Sequence, residues 1–220
     1  MSEKAKPLLA AVTKHIRENV DPITEEFFRL GEGRADRWSY APGQLELLDG
    51  AKQKAREAGL WNFFLPNAET GEGLSNLDYA YIAFELGKNP LASQTLNCSA
   101  PDTGNMEVLA KYGNEAQKKQ WLEPLMEGKI RSAFAMTEPE VASSDATNIA
   151  TTFTRDGDDY LIDGRKWFIT GAAHPNCRFA IVLGRDDQAA EQAPHRRHSM
   201  LIVPMDAPGL SVERNIPVMQ

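Results

Sequence analysis

Two stretches of this 220-residue chain combine residue types that ligand chemistry uses. The first is Ala133-Phe134-Ala135-Met136-Thr137-Glu138-Pro139-Glu140-Val141-Ala142-Ser143-Ser144-Asp145. Hydroxyls at Thr137, Ser143 and Ser144, together with their backbone N–H groups, suit an anionic or amide-like ligand without any lysine. The same residue types also make a hydrogen-bonded turn between domains, and the sequence leaves both readings open. The second stretch is Lys166-Trp167-Phe168-Ile169-Thr170-Gly171, with two aromatics and a hydroxyl where a strand is expected to end. Aromatics in that place are often core. Taken together, the two stretches offer ring faces and hydroxyl donors to a flat heterocycle.

Other chemistries are excluded or left without support. No G-x-G-x-x-G follows a strand, so a Rossmann phosphate cradle is not expected. Gly31 with Gly33, and Gly71 with Gly73, read as ordinary loop glycines. The run His195-Arg196-Arg197-His198 lies in an expected loop with no Cys or carboxylate at ligand spacing, so it reads as solvated and no metal is expected. His15 and His174 are isolated and read as structural, and no G-x-S-x-G elbow appears. Cys98 and Cys177 are too few for a disulfide framework or a cysteine zinc site. Net charge is −7, and neither half of the chain is basic, so there is no footprint for nucleic acid or an anionic membrane. The longest apolar runs, such as Phe179–Leu183, fall far short of a membrane span. Charges at Glu3, Lys4, Lys6, Lys14, Arg17 and Glu18 leave no signal-peptide core, which predicts a cytoplasmic protein of bacterial type.

The elements that must position these residues change character near residue 130. Before it, apolar residues recur at helical spacing. Val12, Ile16, Val20, Ile23 and Phe27 form one stripe on a helix opened by Pro7. Leu45, Leu48, Ala51, Ala55 and Ala58 form a second, stopped by Gly59. Asn76 is expected to cap a third helix that buries Leu77, Ala80, Tyr81 and Phe84 and ends at Gly87. A fourth runs from about Thr103 to Tyr112, and Asn114 with Gln117 reads as a capping box opening a fifth. That fifth helix carries Trp121, Leu122, Leu125 and Met126, and Pro124 should kink or restart it. Beyond Arg131 the period falls to two. Ile149, Thr151 and Phe153 alternate with polar residues, Asp156-Gly157 turns a hairpin, Tyr160 and Ile162 return, and Asp163-Gly164 marks a second turn. Phe179–Leu183, Met200–Val203 (ended by Pro204) and Leu210–Ile216 read as further strands, with a polar loop over Asp186–His198. The expectation is an α+β chain: an all-helical N-terminal domain over residues 1–130 and a mainly antiparallel β domain over 131–220.

The two stretches also resemble the signatures of the acyl-CoA dehydrogenase family. Phe134-Ala135-Met136-Thr137-Glu138-Pro139 followed by Ser144-Asp145 is similar to the first, and Gly164-Arg165-Lys166-Trp167-Phe168-Ile169-Thr170 to the second. Tyr112-Gly113-Asn114-Glu115-Ala116-Gln117-Lys118, with Trp121-Leu122, resembles the family's lead-in to its middle domain. Asn97-Cys98-Ser99-Ala100-Pro101-Asp102-Thr103-Gly104-Asn105-Met106 and the run Val141–Asn148 point to the branch of family members ten and eleven. Phe168 stands where the family often has Trp, and the spacing from Thr137 to Ser144 is one residue longer than the common pattern.

The resemblance implies a flavoenzyme that oxidises an acyl-CoA to the trans-2-enoyl-CoA, with hydride passing to FAD. By carry-over, Phe134, Ala135, Met136, Thr137, Ser143, Ser144, Trp167, Phe168 and Thr170 would bind the cofactor, with the Thr170 hydroxyl near flavin N5. Ser144 and Arg196 would meet the acyl-CoA. Electron-transfer flavoprotein is the implied acceptor, and a homo-oligomer, dimer or tetramer, the implied assembly of the complete enzyme. The family's catalytic glutamate comes from a C-terminal helical bundle, which on this reading lies beyond Gln220. No catalytic residue is therefore assigned in this chain, and Glu138 is not that base. Alternatives are an acyl-CoA oxidase that passes electrons to O2, or a non-catalytic fragment that binds acyl-CoA or assists assembly.

Overall fold

A computed structural model describes residues 1–34, 39–67, 71–189 and 191–216. By compactness the chain divides into two units, Met1–Lys111 and Tyr112–Gln220.

The first unit is helical. Helix α1 (Lys6–His15) runs through a π-helical turn, Ile16–Val20, into α2 (Asp21–Gly31). Val12, Ile16, Val20 and Phe27 are buried, as their spacing requires. Pro22 has no N–H to bond to Glu18, and in an α-helix its ring would strike that carbonyl. The widened turn relieves both problems, because the preceding N–H, that of Asp21, reaches back to the carbonyl of Ile16. Helix α3 (Gln44–Glu57) buries Leu48, Ala51 and Ala55, and Gly59 follows it at φ +70°, a conformation that costs glycine little. The unit also contains α4 (Asn76–Leu86), α5 (Ala92–Thr95) and α6 (Asp102–Tyr112), the last of which crosses the division.

Helix α4 departs from expectation in its cap and in its face. Ser75, not Asn76, is the cap: its hydroxyl accepts from the N–H of Asp78 at 3.1 Å. Asp78, Ile82 and Leu86 are buried, whereas Leu77, Tyr81 and Phe84 are 63%, 48% and 70% exposed. The carboxylate of Asp78 can sit inside because its acceptors are used. Ser75 Oγ donates to it at 2.8 Å, and Ser2 donates through its backbone N–H at 2.6 Å and its hydroxyl at 3.0 Å.

The second unit opens with α7 (Glu115–Gln117), a π-helical turn (Lys118–Leu122) and α8 (Glu123–Met126). The capping box is formed in both directions: Gln117 N–H reaches Asn114 Oδ1 at 2.9 Å, and Asn114 N–H reaches Gln117 Oε1 at 3.0 Å. At Pro124 the restart takes the form already seen at Pro22, with Glu123 N–H bonded five residues back to Lys118. Trp121 places this helical segment on the sheet, its ring 5.0 Å from that of Phe179.

The sheet comprises β1 (Arg131–Ala135), β2 (Thr152–Asp156), β3 (Asp159–Asp163), β4 (Cys177–Asp186) and β5 (His198–Pro204). β4 is its spine. β5 pairs antiparallel along one edge, while on the other β1 pairs parallel with the first half of β4 and β2 with its end. β2 and β3 form the expected hairpin, Asp156 opposite Asp159 and Gly157 in the turn at φ +61°. The core gathers Ala133, Ala135, Phe153, Cys177, Ala180 and Val182. Gly184 makes room for Phe153, since a Cβ there would stand 2.5 Å from ring carbons Cε1 and Cζ.

Two further expectations are corrected. Asp163-Gly164 makes no turn; the chain leaves β3 in irregular extended form. Gly164 is needed for close approach instead, because a Cβ would overlap the side chain of Thr151. Leu210–Ile216 joins no strand ladder among the described residues. Among those residues, too, no helix is long and apolar enough to cross a membrane.

Candidate functional site

Both singled-out stretches begin at strand ends of the second unit. β1 finishes at Ala135, and Met136-Thr137-Glu138 leaves the sheet as irregular chain that turns at Ser143-Ser144. β3 finishes at Asp163, and the chain passes Gly164 to Lys166-Trp167-Phe168. There they meet: the N–H of Trp167 donates to the carbonyl of Thr137 at 3.0 Å.

A buried ion pair lies behind that contact. Lys166 Nζ stands 2.9 Å from Glu138 Oε1, with side-chain exposures of 11% and 4%. Its other two protons go to the carbonyls of Met136 at 2.9 Å and Leu183 at 2.8 Å, so the ammonium is fully satisfied. Glu138 also accepts from the N–H of Ala150 at 2.7 Å, the N–H of Thr151 at 2.8 Å and the Thr151 hydroxyl at 2.5 Å. Burial by itself would raise this carboxyl, but the hydrogen bonds from Lys166, Thr151 and Ala150 outweigh it and hold the pKa down to about 2. Glu138 is therefore held as an anion whose hydrogen-bond partners lie inside the protein.

The hydroxyls sort into two kinds. Ser143 Oγ is buried in the turn, accepting from Glu138 N–H at 2.8 Å and donating to the Val141 carbonyl at 3.2 Å. Ser144, Thr137 and Thr170 are exposed, and their hydroxyls have no hydrogen-bond partner among the described residues. This separates the two serines: the Ser143 hydroxyl closes the turn, and that of Ser144 is available to a ligand.

The aromatic side divides in the same way. Ile169 packs against the sheet core. Trp167 and Phe168 are 38% and 50% exposed, with ring centroids 4.8 Å apart. Phe168 has φ +51°, a left-handed conformation rare for a bulky residue. Phe134 is half-buried in β1, Ala135 is core, and Met136 contributes its carbonyl to Lys166.

Arg196 is exposed in the turn Pro194–Arg196, which packs against the turn Ala146–Asn148 just after Ser144 and Asp145. Arg197 is committed to the loop: its Nε donates to the Gln192 carbonyl at 2.7 Å. Among the described residues no cluster of His, Cys, Asp and Glu could hold a metal. Reading along the chain missed the Glu138–Lys166 pair. Both residues lay inside the chosen stretches, but nothing local links positions 138 and 166.

The chain carries the two domains of the family that its two stretches resemble. The acyl-CoA dehydrogenase N-terminal domain matches residues 2–129, and the acyl-CoA dehydrogenase middle domain matches residues 133–219. The chain belongs to the acyl-CoA dehydrogenase family. It is 47% identical over 220 residues to acyl-CoA dehydrogenase family member 11 of Homo sapiens, covering 99% of this chain and 27% of that protein. It is 48% identical over 221 residues to FadE2 of Mycobacterium tuberculosis, described as an acyl-CoA dehydrogenase, covering 99% of this chain and 52% of that one. A solved Mycobacterium abscessus structure described in the same terms superposes with a TM-score of 0.90 at 48% identity, over 99% of this chain and 54% of that one. The chain thus spans about a quarter of the human relative and about half of the mycobacterial ones. In the helices followed by a sheet, this family member has the expected fold.

Proposed function

We propose that this chain is the flavin-holding part of an FAD-dependent acyl-CoA dehydrogenase that converts an acyl-CoA to its trans-2-enoyl-CoA. The observation that carries the reading is the junction of the two stretches at the Trp167 N–H to Thr137 carbonyl bond, with exposed hydroxyls at Thr137, Ser144 and Thr170 that have no hydrogen-bond partner among the described residues and with the exposed rings of Trp167 and Phe168. When bound, FAD supplies a two-electron acceptor for hydride from the substrate β-carbon. The chain's own residues orient and tune. Thr137 and Thr170 donate to polar edges of the ring system, Phe134 and Phe168 lend apolar surface, and Ser144 serves phosphate or acyl-CoA oxygens. Arg196, in the turn packed beside that segment, contributes a cation toward CoA phosphate. Removal of the α-proton is assigned to no residue of this chain. Electron-transfer flavoprotein as acceptor and a homo-oligomeric assembly complete the reading and rest on family resemblance.

The test is reconstitution. The purified chain, mixed with FAD and desalted, is expected to retain flavin absorbance, and Thr137→Val with Thr170→Val to lose it while the far-ultraviolet circular dichroism stays unchanged. Flavin retained equally by the double variant would move the cofactor elsewhere.

A further inference from the structure

We propose that Glu138 and Lys166 are a positioning pair for the flavin-facing residues, a role that rests on the flavin reading above. Neither side chain reaches the exposed surface where a ring would lie. What they hold is backbone. Around Thr137, three backbone groups are bound: the Met136 carbonyl by Lys166 Nζ at 2.9 Å, the Thr137 carbonyl by Trp167 N–H at 3.0 Å, and the Glu138 N–H by Ser143 Oγ at 2.8 Å. With these groups turned inward, the Thr137 hydroxyl is left facing out.

The same pair fixes the second stretch. Lys166 is anchored at once to the turn after β1, through Met136 and Glu138, and to β4, through the Leu183 carbonyl at 2.8 Å. Glu138 in turn grips the residues that lead into β2, Ala150 and Thr151. Gly164 lets this stretch lie against Thr151. Phe168 at φ +51° comes two residues after Lys166, and so close an anchor limits relaxation of that strained backbone. Two buried charges are not required for stability alone, since apolar residues of similar volume often serve as well. Here the pair ties the segment that carries Thr137 and the segment that carries Trp167 and Phe168 to each other, to β4 and to the start of β2, which is the geometry positioning requires.

The test follows amide hydrogen exchange residue by residue in the flavin-free chain, and FAD affinity in the same samples. In Lys166→Met, exchange at the Trp167 and Thr151 amides is expected to rise at least tenfold while the β4–β5 ladder stays within twofold. The FAD dissociation constant should rise at least tenfold. If Lys166→Met does not fold, Glu138→Gln, which keeps the shape and removes the charge, is expected to give the same local pattern. Loss of protection spread evenly over the sheet, or an unchanged Trp167 amide, would overturn the proposal. So would local loosening with unaltered FAD affinity. Wild-type chain that takes up no FAD would instead sink the flavin reading itself, whereas wild type and variants that bind FAD equally would sink only the positioning role.

Discussion

Gly164 lies so close to Thr151 that a methyl group on it would overlap the threonine's Oγ1, Cβ and Cγ2. That threonine also donates its hydroxyl to Glu138, so the packing of a glycine and the polarity of the site meet at one side chain. Gly164→Ala should therefore destabilise the chain by about 1–3 kcal/mol, the usual range for overpacking. The Thr151→Ala background should shrink that increment, because Oγ1 and Cγ2 are gone and only the contact with Cβ remains. A double-mutant cycle by urea unfolding measures the coupling, and additive effects would contradict the contact.

Acid sensitivity should trace to Glu138. Its folded pKa of about 2 lies below the ordinary 4.5, so the unfolded chain binds the proton first. The stability from its ionised form is complete above about pH 4.5 and is lost as pH falls toward 2. Glu138→Gln should lower stability at neutral pH and flatten the decline over that window. Unfolding free energies at several pH values give the slope, and an equally steep decline in the variant would assign it to other carboxylates.

His15 should contribute a second, milder dependence in the helical unit. It is buried, with Asn19 Nδ2 3.3 Å from Nδ1 and Thr95 Oγ1 3.4 Å from Nε2. Burial, and secondarily the charge of Lys54, lowers its pKa from 6.5. Well above pH 6.5 the ring is neutral in both states. Below it the unfolded chain takes up the proton more readily, so stability falls with pH until the folded ring also titrates. Nuclear magnetic resonance titration of the ring should show a midpoint below 6.5, and His15→Gln should remove the corresponding slope from the stability curve.

The basic loop divides its work between neighbours. Arg196 is exposed, whereas Arg197 supports the loop through Gln192 and through its own carbonyl, which accepts from Asp186 N–H at 2.8 Å. In the FAD-loaded chain at low salt, Arg196→Ala should weaken CoA binding by about tenfold, equivalent to about 1.4 kcal/mol, with flavin content unchanged. Arg197→Ala should instead lower thermal stability. Calorimetric titration with CoA separates the two, and an unmoved affinity in Arg196→Ala would make that arginine solvated surface.

What the sequence determined by itself is what neighbours along the chain decide. The Asn114–Gln117 box closes within one helical turn, and the Asp156-Gly157 hairpin needs only a residue tolerant of positive φ between two alternating strands. The change from helical period to alternation separates helices from sheet for the same reason. Tertiary structure decided the rest. Helix α4 carries apolar residues on two faces, so its period does not say which face is buried; the choice falls to the face where Ser75 and Ser2 satisfy Asp78. Leu210–Ile216 alternates like a strand, but a strand also needs a partner edge, which no local pattern reveals. At the site, residue types marked both stretches, yet Ser143 and Ser144 are indistinguishable until one is seen bonded inside the turn. Likewise Glu138 and Lys166 are a pair only because β1, β3 and β4 bring their ends together: a buried charge finds its partner through the fold, not through spacing along the chain.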